Sequence, residues 1–185
     1  MKASAFIATS LDGFIARGDG SLDWLDKANS AVPEGEDLGY RSFISAVDAL
    51  IMGRKSYEKV LSFGQWPYEA MPVVVLSRSE MTFPAGLRET VTHSSESPQE
   101  LLERLSNEGV KHVYVDGGIT IQRFLSAGLI DEITVTIIPV LLGSGIPLFG
   151  PLDGDIELIH LQTNAYDFGF VQTTYSLKKT DRATR

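Results

Sequence analysis

The sequence predicts an α/β fold: a mixed, mainly parallel sheet covered by helices and finished by an antiparallel pair of strands. Three observations carry this. Short continuous apolar runs at 49–52, 72–76 and 112–115 have the length and character of buried parallel strands. Two of these runs empty through glycine into segments able to form a helix. Beyond residue 130 the pattern changes to alternation, and 131–140, 156–166 and 170–178 read as strands, the last two joined as a hairpin around Asp167-Phe168-Gly169. Early βα units followed by late strands give the mixed sheet.

Taken in order, residues 2–9 form the first strand, and Asp12-Gly13 marks a tight turn after it. A loop rich in Gly and Asp runs from Arg17 to Asp23 and is closed by Trp24, either a core anchor for the loop or part of a ligand pocket. Tyr40, Phe43, Ile44 and Val47 recur at helical spacing, so 37–47 reads as a helix. Asp37 at its start either serves the helix dipole or, if turned inward, a proton-transfer site. Residues 87–92 read as a short strand. Ser97-Pro98-Gln99-Glu100 is a capping box with proline at the first helical position, and Gly109 ends that helix. A further helix covers 119–127.

The chain of 185 residues, 43% hydrophobic and 22% charged, fits one domain over 1–178 with a polar tail at 179–185. A net charge of −8 argues against a nucleic-acid partner, which needs a basic surface. Without cysteine there is neither a disulfide nor a thiolate site, and His93, His112 and His160 show no metal-ligand spacing. No apolar run approaches a membrane span, so the cytoplasm is the expected location. Ile133, Val135 and Ile137 on a late strand suggest a homodimer.

The stretch richest in chemistry is Ala49–Glu58. Its strand meets Gly53 and turns into Arg54, Lys55 and Ser56, where free backbone N–H groups, two bases and a hydroxyl suit a phosphate. The plainer alternative is a βα turn with solvated bases. Comparable ends recur at Leu76-Ser77-Arg78 and at Asp116-Gly117-Gly118, where paired glycines admit a phosphate to the backbone.

These strand ends, with Ser10-Leu11-Asp12-Gly13-Phe14-Ile15-Ala16 near the start, resemble the dihydrofolate reductase superfamily. Within it they resemble the RibD C-terminal, riboflavin-biosynthesis type of reductase in stand-alone form. The motifs are Leu50-Ile51-Met52-Gly53-Arg54-Lys55-Ser56-Tyr57-Glu58, Val115-Asp116-Gly117-Gly118 and Leu129-Ile130-Asp131-Glu132-Ile133 with Pro139-Val140-Leu141-Leu142-Gly143-Ser144-Gly145 beyond it.

The resemblance implies a dihydrofolate reductase-like three-layer sandwich with helices on both sheet faces, and NADPH as cofactor. Arg54 would hold the 2′-phosphate, Ser77 and Arg78 would lie near the adenosine, Lys55, Ser56, Gly117, Gly118 and Ile119 would take the pyrophosphate, and Gly53 and Leu76 would also belong to the cofactor site. Ala8 and Ile15 would line the nicotinamide. Asp37 and Thr136 are the implied catalytic pair, with Asp12, Trp24 and Tyr40 lining the pocket of a small-molecule substrate.

Two departures bear on that substrate. Met71 stands where folate reductases place a clamping arginine, and Phe14 where the riboflavin reductases typically place lysine. The expectation is hydride transfer to a C=N or C=O group of a small heterocyclic or ribosyl-type molecule. A dihydrofolate reductase and an NADPH-binding module without turnover are the alternatives.

Overall fold

The structure, a computed structural model, describes residues 1–178; the predicted tail lies outside them. Ten strands and five helices follow in the order β1 (Lys2–Ser10), β2 (Phe14–Ala16), α1 (Asp23–Asn29), α2 (Tyr40–Ser45), β3 (Ala49–Gly53), α3 (Arg54–Leu61), β4 (Val73–Leu76), β5 (Val91–Ser94), α4 (Pro98–Asn107), β6 (His112–Asp116), α5 (Gly118–Ser126), β7 (Glu132–Ile138), β8 (Ile146–Pro147), β9 (Leu158–Ala165) and β10 (Val171–Leu177). Eight strands form one sheet in the order β5-β4-β3-β6-β1-β7-β10-β9. The first six in that order run parallel, and β10 and β9 close the sheet antiparallel.

The apolar runs are buried because both sheet faces are covered. On one face Ile51, Val74, Val113, Val115 and Ile133 pack against Leu101 and Leu105 of α4 and Ile121, Phe124 and Leu125 of α5. The opposite face carries Leu50, Met52, Val73 and Val75 against Tyr57 of α3, with Tyr40, Phe43 and Ile44 of α2 beside them. A third cluster joins Trp24 of α1 to Ile138 and Phe170. This is the three-layer sandwich that the family resemblance implied.

The capping box forms as expected: the Glu100 N–H donates to Ser97 Oγ, and the Ser97 N–H to Glu100 Oε2. Elsewhere the elements are shorter than their patterns. The 37–47 segment is helical only over Tyr40–Ser45, because Leu38 (φ 57°) and Gly39 (φ 80°) are both left-handed and break the turn. Residues 85–87 form a 3₁₀ turn, so the short strand starts late, at Val91. A two-stranded sheet of β2 and β8 was not anticipated.

The exposure of β7 on which the homodimer expectation rested is not found. Ile133 is buried, Val135 and Ile137 are half-buried, and β7 lies inside the sheet between β1 and β10. The exposed apolar strand is the edge strand β9, with Leu158, Ile159 and Leu161 each about half exposed.

Candidate active site

The parallel strands end together, and the sequence motifs gather at those ends. Gly53 closes β3 beside Leu76 of β4, and Asp116 of β6 pairs with Met52. After β3 the chain moves outward to β4 and β5, then crosses back to place β6 on the other side of β3. A crevice at such a reversal is where open α/β sheets bind ligands.

Two helix N-termini interlock in this crevice. Gly117 has φ 89°, and a side chain there would run into Ser56 Oγ of α3. A Cβ on Gly53 would fall 2.9 Å from Thr120 Oγ1 of α5, a buried hydroxyl. Each glycine thus lets the partner helix's hydroxyl approach its backbone. Neither α3 nor α5 has a side-chain N-cap, so among the described residues no side chain caps those first-turn N–H groups. Gly118 lies under Ile15 Cδ1 and the Pro147 carbonyl, so β2 and β8 roof the start of α5. Ile119 is exposed at that start.

Toward the sheet edge, Arg54 Nε donates to Glu58 Oε1 at 2.7 Å, with both side chains half exposed. Ser77 Oγ turns back on its own loop, donating to the Ser79 carbonyl, while its N–H reaches the Ser94 carbonyl. Arg78 is exposed. A cleft lined by Thr92–Glu96 and Arg104 lies beyond, at the end of β5.

On the α2 side, the Asp37 carboxylate accepts the N–H groups of Gly39 (3.0 Å) and Arg41 (3.1 Å) and pairs with the Arg41 side chain at 3.4 Å. It therefore caps α2 from outside the helix. Thr136 Oγ1 does not bond to it directly. Buried Gln172 spans the gap, donating through Nε2 to Thr136 Oγ1 (2.9 Å) and to the Leu38 carbonyl (3.0 Å). Gln172 ties the left-handed turn after Asp37 to the sheet.

Asp12 has a different surrounding from the one foreseen. Its carboxylate accepts from Ser10 Oγ (2.6 Å) and from the N–H groups of Leu142 and Gly143. The Ser10 hydroxyl and these backbone donors hold its carboxyl below the ordinary range, against a smaller opposing effect of burial. It fastens the β1–β2 turn to the loop after β7. Trp24 is buried against Ile138 and Phe170, and its indole N–H has no partner among the described residues. The Arg17–Asp23 loop is buckled by a two-point ion pair, Nε to Oδ1 at 2.6 Å and Nη2 to Oδ2 at 2.9 Å. Ala8 is half-buried on β1 beside Thr136.

Sequence reasoning passed over Asp116 as a titratable group. Its neighbours come from three separated segments. Tyr114 Oη donates to the Phe6 carbonyl (2.8 Å) and lies 3.3 Å from Asp116 Oδ1. Tyr40 packs edge-on against Phe6, and Tyr68 joins the same cluster from the loop after α3. Burial raises the Asp116 carboxyl, opposed by the Gly117 N–H and the Tyr114 hydroxyl. Burial, and then the Asp116 charge, pushes Tyr40 up to about 12 and raises Tyr68 and Tyr114 as well. The signal available in the sequence was the acid immediately before the paired glycines.

A family model described as the RibD C-terminal domain matches residues 2–171. This chain belongs to that family. A Shewanella sp. PV-4 protein, described provisionally as a riboflavin biosynthesis protein, is 40% identical in sequence. It superposes with a TM-score of 0.90 over 96% of this chain and 99% of its own. YwjB of Bacillus subtilis is 40% identical over 161 residues, covering 85% of this chain and 87% of its own. The deaminase/5-amino-6-(5-phosphoribosylamino)uracil reductase of Thermotoga maritima shares the fold at 14% identity (TM-score 0.69), over 96% of this chain and 56% of its own. The fold is thus that of a riboflavin-biosynthesis-type reductase domain, in a chain with the span of the Shewanella protein.

Proposed function

We propose that this RibD C-terminal-type chain is an NADPH-dependent reductase acting on a C=N or C=O group of a small heterocyclic or ribosyl-type substrate. The observation that carries the reading is the interlocked pair of helix N-termini at the reversal point of the sheet, with Ser56 on Gly117 and Thr120 by Gly53. Uncapped N–H groups, two hydroxyls and nearby bases match the chemistry of a pyrophosphate.

When bound, the cofactor supplies the hydride. The chain's own groups bind and orient. Lys55, Ser56 and the backbone at Gly117, Gly118 and Ile119 hold the pyrophosphate. Arg54, its Nε already fixed by Glu58, directs its remaining guanidinium N–H groups to the 2′-phosphate. Gly53, Leu76, Ser77 and Arg78 lie toward the adenosine, and Ala8 and Ile15 toward the nicotinamide. On the substrate side, Gln172 and Thr136 hold the turn that carries Asp37, the proton-handling group. Asp12 shapes the pocket by fixing its loops, while Trp24 backs it and Tyr40 lines it.

The test is a fluorescence titration with NADPH and NADH on wild type and Arg54→Ala. NADPH affinity should fall about tenfold or more in the variant, from loss of a charge-assisted contact, while NADH changes within about twofold. Binding of neither nucleotide would defeat the reading.

A homodimer paired through β9 is part of the same proposal. An edge strand of eight residues without Lys, Glu, Asp or Pro has none of the usual protection against pairing. A monomer mass in sedimentation equilibrium would remove it.

A further inference from the structure

The start of α5 lies under a roof with little strength of its own. β2 and β8 are three and two residues long, and they pair through Phe14 with Pro147 and Ala16 with Ile146. A two-stranded ribbon of that size does not hold its place unaided. It nevertheless comes close to the helix. A Cβ on Gly118 would fall 2.8 Å from Ile15 Cδ1 and 3.2 Å from the Pro147 carbonyl oxygen.

Hydrogen bonds tie the roof down on two sides. Toward β1, the Leu148 N–H donates to the Gly13 carbonyl at 2.9 Å, and the Asp12 carboxylate accepts from Leu142 and Gly143. Toward α5 the tie is Gln122. It stands four residues after Gly118, one turn further along the same helix face. Its Nε2 donates to the Pro147 carbonyl (3.0 Å) and to the Leu148 carbonyl (3.2 Å), so one amide group takes two consecutive carbonyls. The loop after β8 then closes over this amide. A Cβ on Gly150 would fall 2.6 Å from Gln122 Oε1 and 2.9 Å from its Cδ, so the approach requires glycine there.

Resting on the reductase reading above, we propose that Gln122 is a positioning residue for the cofactor: by clamping β8 to α5 it sets how far Ile15 stands above Gly118. Ile15 is the roof residue assigned to the nicotinamide, and Gly118 belongs to the pyrophosphate cradle. Gln122 acts through β8 and β2 rather than by touching the cofactor. Leucine at 122 fills a similar space without a donor. The remaining hydrogen bonds of Pro147 and Leu148 among the described residues then run to the β1–β2 side, and Ile15 loses its fixed height over the helix. The nicotinamide half of the dinucleotide loses its seat. The 2′-phosphate and adenosine, assigned to the ends of β3 and β4, keep theirs.

The test is calorimetric titration with NADP⁺ and with adenosine 2′,5′-bisphosphate, the half that lacks the nicotinamide. Gln122→Leu should weaken NADP⁺ about tenfold and leave the bisphosphate within about twofold of wild type. Gly150→Ala pushes the Gln122 amide aside from a backbone that is not at positive φ, and it should reproduce the same split even if the leucine variant fails to fold. In an Ile15→Ala background, Gln122→Leu should cost NADP⁺ less than about threefold more, because the residue it acts through is already truncated. Equal losses on both ligands, unchanged NADP⁺ binding in the folded variants, or full additivity with Ile15→Ala would overturn the inference. Binding of neither ligand by wild type would instead defeat the reductase reading itself.

Discussion

Gly117→Ala probes the crevice from which the functional reading starts. Two costs add. The backbone at Gly117 has φ 89° and ψ 137°, a region close to glycine-only, and holding an L-residue there costs on the order of 1–3 kcal/mol. The new methyl also overlaps Ser56 Oγ, so the serine must rotate out of the crevice or α3 must shift. Together they predict a loss of about 2–4 kcal/mol in urea unfolding, a large effect for one methyl group. Ser56→Ala in the same chain removes the overlapping oxygen and leaves only a 3.4 Å contact with its Cβ. The double variant should therefore recover about 1 kcal/mol, the steric part, as a measurable coupling. Additive losses from the two single changes, or a Gly117→Ala loss below about 0.5 kcal/mol, would refute the interlocked geometry.

Two further outcomes follow from the loop ties. Asp12 is held below its ordinary value of 3.8, so the stability it contributes is fully present above that pH and is lost as pH falls through its lower folded value. Asp12→Asn should be less stable than wild type near pH 6, and the gap should narrow in urea titrations as the pH is taken down through that lower folded value. Gln172→Leu leaves the Leu38 carbonyl and Thr136 Oγ1 without their shared donor and should cost about 1–3 kcal/mol. Hydrogen exchange should then speed up at the Gly39 and Arg41 amides, which the Asp37 carboxylate protects, while NADPH affinity is retained.

Much of the architecture was legible because it depends on local pattern. Continuous apolar runs mark buried parallel strands, and three of them, two leading into glycine, brought their motifs to one end of the sheet. The capping box at Ser97 is likewise local and formed as read. What escaped the sequence depends on distant partners. Asp12 looks like a pocket residue until Leu142 and Gly143, 130 and 131 positions away, supply its donors. Asp116 becomes notable only when Tyr40 and Tyr68 arrive from α2 and the loop after α3. The helical period through Val47 gave no sign that Leu38 and Gly39 would turn left-handed, since Gln172 on β10 holds that turn. The two-stranded β2–β8 sheet is too short, and too rich in glycine and proline nearby, to leave a periodic signal.

A crystal structure of the protein with NADP⁺ would test the central claim most directly. The account predicts the pyrophosphate between the first turns of α3 and α5, against Ser56 and the Gly117–Gly118 backbone. It places the 2′-phosphate on Arg54 and the nicotinamide beside Ala8 and Ile15. A dinucleotide bound in the opposite direction, or away from the β3–β6 crevice, would contradict it.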